Sequence, residues 1–80
     1  MNKIEQLEAG FEYADEHVIT HTHCPSVAHI SNGWCDVWAE AVWRKAKFVT
    51  ICEKYGHYYV VYEGIGYDSD HGIHNGFEPI

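Results

Sequence analysis

A thiol becomes a nucleophile when a neighbouring base takes its proton and a third group fixes the tautomer of that base. Cys35, His57 and Asp68 are of the types this needs, and they occur in an informative order along the chain. Cys35 falls in the first turn of a predicted helix, where unpaired backbone N–H groups and the positive end of the helix dipole favour a thiolate. His57 opens a predicted strand, and Asp68 lies on the next one, directly after Tyr67. Asp70 competes with Asp68 for the third role. Against this stands the plainer reading of any single cysteine, a small buried hydrophobe on a helix face. Cys24 and Cys52 have no comparable setting and are assigned to that packing role.

The elements that must position these groups follow from periodicity and turn chemistry. Ile4, Leu7, Phe11, Ala14 and Val18 recur at three- and four-residue steps, so residues 3–17 read as an amphipathic helix. Glu5, Glu8, Glu12 and Asp15, with Glu16, form an acidic stripe beside its apolar face. Gly10 is a weak point, costing about 1 kcal/mol relative to alanine. Pro25 opens a short helical turn reaching about Ser31, and Ser31-Asn32-Gly33 breaks the chain and offers a cap. A second helix is expected over about Trp34–Ala46, with Cys35, Trp38, Ala41 and Val42 on one face and Asp36, Glu40, Arg44 and Lys47 outside. From Phe48 the pattern turns extended: Phe48–Cys52, His57–Tyr62 and Tyr67–Ser69 read as strands. Lys54-Tyr55-Gly56 and Glu63-Gly64-Ile65-Gly66 separate them, and the tail from Asp70 reads as loop. The expected architecture is one α+β domain over 1–80, with N-terminal helices packed on a small three-stranded antiparallel sheet.

The second turn decides whether the acid can reach the histidine. A two-residue turn at Glu63-Gly64 pairs Tyr62 with Ile65, Tyr59 with Asp68 and His57 with Asp70. His57, Tyr59 and Asp68 then share a face. A three-residue loop over Gly64–Gly66 would set Asp68 opposite Tyr62 and carry it off the His57 side.

Gly33-Trp34-Cys35-Asp36-Val37-Trp38-Ala39, Gly56-His57-Tyr58-Tyr59-Val60-Val61-Tyr62 and Gly66-Tyr67-Asp68 together resemble the core of papain-like and transglutaminase-like thiol enzymes. The resemblance spans roughly residues 32–70. It implies a papain-like core and a cysteine hydrolase or acyl-transfer enzyme acting on a peptide or amide, with Cys35 as nucleophile, His57 as general base and Asp68 as orienting acid. The papain pattern also carries a glutamine shortly before the cysteine. The only glutamine here is Gln6. Asn32, Ser31 or the Cys35 backbone N–H would have to stand in as oxyanion donor.

Composition limits the alternatives. The chain has 80 residues, 46% hydrophobic and 15% aromatic, too apolar for a disordered acidic tail. Twelve acidic against five basic side chains give a net charge of −7, which disfavours direct nucleic-acid binding. Met1-Asn2-Lys3 runs directly into a charged helical segment, so neither a secretory leader nor a membrane span is expected. Three cysteines with no C-x-x-C pair point to reduced thiols and a cytoplasmic setting. His17, His21, His23, Cys24 and His29 are dense enough to raise a zinc site, but their spacing matches no zinc pattern, and surface or capping roles are expected. His71 and His74 are weaker metal candidates still. No cofactor is implied. In size and charge the chain also resembles small phage-encoded inhibitors of bacterial defence, including anti-CRISPR proteins. On that alternative, Glu5, Glu8, Glu12 and Asp15 rise about 5 Å per step and mimic a phosphate backbone for a basic, nucleic-acid-handling partner in the host cytoplasm.

Overall fold

The computed structural model describes residues 1–72 and 75–79. Helix α1 spans Lys3–His21, four residues longer than its pattern predicts. Its start is a capping box: the Asn2 side chain accepts the Glu5 N–H at 2.9 Å, and the Glu5 carboxylate accepts the Asn2 N–H at 3.1 Å. Leu7, Gly10, Phe11, Ala14 and Val18 make the buried face, whereas Ile4 is 43% exposed. A single 3-10 turn at Val27–His29 follows.

Helix α2, Cys35–Lys45, is the centre of the molecule. It packs against α1 on one side and against the first two strands on the other. Both sides are covered, so its buried set (Cys35, Trp38, Ala39, Ala41 and Val42) is wider than one amphipathic stripe. Phe11 stacks on Trp38 with ring centroids 5.5 Å apart and tilts against Tyr67 at 5.4 Å, so one α1 ring touches both α2 and the sheet. Leu7, Val18, Ile30, Val42 and Val60 close the core around them.

The sheet is an antiparallel meander of β1 (Thr50–Lys54), β2 (His57–Tyr62) and β3 (Ile65–Tyr67), with β2 in the middle. Lys54 pairs with His57 and Tyr62 with Ile65, so both hairpins have two-residue turns. Their central residues, Tyr55-Gly56 and Glu63-Gly64, all have positive φ, the requirement of the type I′ turn that matches strand twist. Helices packed on a three-stranded antiparallel sheet are thus the observed architecture. The boundaries differ from the predicted ones. β1 starts two residues late because Val49 is drawn into the core, and β3 ends at Tyr67, just before Asp68.

The tail is the largest departure from expectation. Gly66 and Phe77 exchange backbone hydrogen bonds at 2.7 and 2.9 Å, forming a one-pair extension of the sheet beyond β3. Gly66 lets the Phe77 ring lie close, since a Cβ there would come within 2.5 Å of the ring and push it aside. Phe77 in turn stands edge-on to Tyr59, with centroids 5.2 Å apart.

Candidate active site

The two-residue Glu63-Gly64 turn pairs Val60 with Tyr67, and the next pair along this register is Tyr59 with Asp68. Asp68 therefore comes to the His57 face of β2, and His57 Nε2 lies 2.7 Å from Asp68 Oδ2. Asp68 is only 6% exposed, yet it is well satisfied. Oδ1 takes the backbone N–H of Asp70 at 3.0 Å and Nδ1 of His71 at 2.8 Å. Burial by itself pushes this carboxyl up. The hydrogen bonds from His57, His71 and the Asp70 N–H, with the charge of His71, outweigh burial and hold it below its ordinary value.

An ionised carboxylate can only accept, so the His57 nitrogen facing it must carry a proton. That fixes the neutral His57 tautomer: Nε2 donates to Asp68, and Nδ1 keeps its lone pair. Nδ1 makes no hydrogen bond among the described residues. Asp70, the rival for the acid's role, is engaged elsewhere. Its Oδ2 accepts from the Ser31 hydroxyl at 2.9 Å, lashing the loop before α2 to the loop that holds the acid.

Cys35 opens α2, one residue later than the predicted start. None of Ser31, Asn32 or Gly33 caps the helix; the N-cap position is Trp34, which makes no side-chain capping bond. The first-turn N–H groups are thus left for charge on or near the sulfur. Cys35 Sγ accepts the Tyr58 N–H at 3.4 Å and faces the Gly56 carbonyl oxygen at 3.8 Å. The sulfur is held by the backbone on either side of His57, with no hydrogen bond to the imidazole itself. The residue is 8% exposed, whereas the His57 side chain is 35% exposed.

Beside His57 the surface is concave. Lys54, Tyr55, His57, Tyr59, Phe77, Glu78 and Pro79 line a cleft of about 270 Å³, walled mainly by aromatic rings. The returning tail supplies one wall.

The acidic stripe divides in the structure. Glu8 and Glu12 are exposed, and Glu5 is exposed but committed to the α1 capping box. Asp15 turns inward and accepts the Trp38 indole N–H at 2.8 Å. Partial burial, opposed by that hydrogen bond and reinforced by the charge of Glu12, raises its pKa. Among the histidines raised for zinc, His21 Nδ1 bonds the His17 carbonyl oxygen and His29 Nδ1 the Ser26 hydroxyl. Among the described residues no group of three His, Cys, Asp or Glu side chains is arranged to hold a metal ion. His74 lies outside the described residues.

Two contributors to the site escaped the sequence reading. His71 sat in an apparent loop, although its three-residue spacing from Asp68 is what a tight turn needs to bring both together. Phe77 carried no local signal, since its partners Gly66 and Tyr59 are far away in sequence. Comparison with protein-family models, curated proteins and solved structures finds no match to this chain.

Proposed function

We propose that this protein is a small thiol hydrolase or acyl-transfer enzyme acting on a peptide or amide bond. Cys35 is the nucleophile, His57 the general base through Nδ1, and Asp68 the acid that fixes the imidazole. The observation that carries this reading is the 2.7 Å contact between His57 Nε2 and Asp68 Oδ2, made while Cys35 Sγ rests against the backbone flanking His57. The order of helix-borne cysteine, strand-opening histidine and following aspartate supports the resemblance to a papain-like core. In the resting state the thiol is parked on the Gly56 carbonyl. Once the thiol leaves the Gly56 carbonyl and comes within reach of His57 Nδ1, proton transfer leaves a thiolate beside the Tyr58 N–H and an uncapped helix start. The Cys35 N–H then serves as oxyanion donor. Free thiols at Cys24, Cys35 and Cys52 fit a reducing, cytoplasmic setting.

The test is iodoacetamide labelling near neutral pH, read by peptide mass. Cys35 is expected to react faster than Cys24 and Cys52, and His57→Ala should slow it by about tenfold or more. Slow, equal labelling of all three cysteines would overturn the reading.

The exposure of Glu8 and Glu12 on a chain of net charge −7 favours a second reading: a non-catalytic, anti-CRISPR-like inhibitor docking on a basic partner. Its test uses Glu8→Lys with Glu12→Lys, which spares the Glu5 cap and the Asp15–Trp38 bond. Loss of inhibition or binding in this variant, with Cys35→Ala fully active, supports it. Unchanged binding after the reversal refutes it.

A further inference from the structure

The carboxyl group of Asp68 is itself held from behind. Oδ2 takes His57 Nε2, whereas Oδ1 takes two donors from the turn that follows, the Asp70 N–H at 3.0 Å and His71 Nδ1 at 2.8 Å. His71 grips the acid a second time through the main chain, its N–H donating to the Asp68 carbonyl oxygen at 3.1 Å. A carboxylate rotates broadly about its last bond unless something fixes it. Two donors on Oδ1 fix it with Oδ2 turned to His57. The His71 ring has a further contact. It stands edge-on to Phe77 with centroids 5.3 Å apart, Phe77 stands edge-on to Tyr59, and Tyr59 lies nearly parallel to His57 at 6.4 Å. With the two bonds to the acid these contacts close a circuit, from His57 through Asp68, His71, Phe77 and Tyr59 back to His57. The His71 side chain is 47% exposed, so these contacts, and not burial, set its orientation.

We propose that His71 is a positioning residue: its Nδ1–H holds Asp68 Oδ1, which keeps Oδ2 on His57 Nε2 and leaves His57 Nδ1 bare as a proton acceptor. That this acceptor serves the Cys35 thiol rests on the thiol-enzyme reading; the placement of the protons does not. An ionised carboxylate only accepts, so each imidazole that faces it must donate. The hydrogen bond made by one ring nitrogen decides the state of the other. In their neutral forms His57 therefore carries its proton on Nε2 and His71 on Nδ1, opposite tautomers on the two oxygens of one acid. The donor carries the role and the edge contact with Phe77 only supports it, because a hydrogen bond to a charged acceptor outweighs a single aromatic contact. A base is presented in one geometry only when the groups behind it are themselves locked, and His71 supplies that lock.

Long-range ¹H–¹⁵N spectra of the histidine rings, recorded on the full chain in mildly alkaline buffer, read both tautomers directly. The unaltered protein is expected to show His71 protonated on Nδ1 and bare on Nε2, and His57 the reverse. His71 protonated on Nε2 would overturn the proposal without any variant. Two substitutions then separate the donor from the ring. His71→Asn keeps an N–H donor on the atom that corresponds to Nδ1 and loses the ring, so His57 should keep its single tautomer. His71→Phe keeps a ring against Phe77 and loses the donor, so His57 should become a mixture of both tautomers and lose its Nε2–H signal to exchange with water. A single His57 tautomer preserved in His71→Phe, or lost in a folded His71→Asn, would count against the donor role and sink it. None of these readings involves the sulfur, so their outcome is separate from that of Cys35 labelling.

Discussion

Asp68 is a buried carboxylate held by three donors, and this makes it an acid-sensitive joint. Its folded pKa lies below that of the unfolded chain, so the unfolded state binds more protons in the interval between the two values. Its stabilisation is complete above the ordinary aspartate value and is lost as pH falls through the folded one. Asp15 works in the opposite sense. Its pKa is raised, so its contribution is full at low pH and is lost as pH rises through the folded value. Asp68→Asn should therefore cost roughly 1–3 kcal/mol at neutral pH and flatten the loss of stability toward acid. Urea midpoints measured from neutral pH down through the carboxylate range check this. An acid limb as steep in Asp68→Asn as in the parent would refute the assignment. On the proposed thiol-enzyme reading, the same substitution should slow Cys35 alkylation less than His57→Ala does, since there the acid orients the base without taking the proton.

At the scale of elements, α1 crosses α2 at Gly10. Gly10 is buried at this crossing, where a Cβ would meet the Val42 carbonyl oxygen at 3.5 Å and Val42 Cγ1 at 3.6 Å. Those are ordinary van der Waals distances, so a methyl group fits without moving either helix. Gly10→Ala should stabilise the protein by about 0.5–1 kcal/mol, through helix propensity and a less flexible unfolded chain. A thermal melt showing a lower midpoint would mean that the helices have no such room. The hairpin turns matter in a different way. Two-residue turns set the register of all three strands, and a one-residue slip would turn Asp68 away from His57. Tyr55 and Glu63 accept the left-handed conformation these turns need, each beside a glycine that adopts it freely.

Across the whole molecule, the exposed acidic face and the candidate site are separated. The exposed carboxylates Glu8 and Glu12 lie on α1, whereas the Cys35 sulfur rests on the β2 backbone beside His57, whose ring is bound by Asp68. Electrostatic docking through α1 should weaken steeply with ionic strength, whereas Cys35 alkylation by a neutral reagent should change little. Binding to a basic partner that is insensitive to salt, and to charge reversal at Glu8 and Glu12, would exclude α1 as the docking face. The returning tail joins the two sides of the site. Asp70 reaches Ser31 ahead of α2, His71 reaches Asp68, and Phe77 covers Gly66 and Tyr59.

Much of this was legible from residues 1–70. The two helices, the three strands and the order of Cys35, His57 and Asp68 follow from local patterns: apolar spacing near 3.6, alternation near 2 and glycines at turns. The pairing of His57 with Asp68 was legible only as a condition, because the register hung on the length of one turn. What tertiary structure alone decided lies between residues distant in sequence or hidden in irregular chain. It chose Asp68 over Asp70, turned Asp15 inward to Trp38, brought His71 to the acid and set Phe77 on Gly66. It also held the sulfur against the backbone around His57 and not on the ring. Periodicity records which face of an element is apolar, but not which partner will cover it. That choice is made by packing, where a close approach such as Phe77 over Gly66 exists only once the sheet has formed.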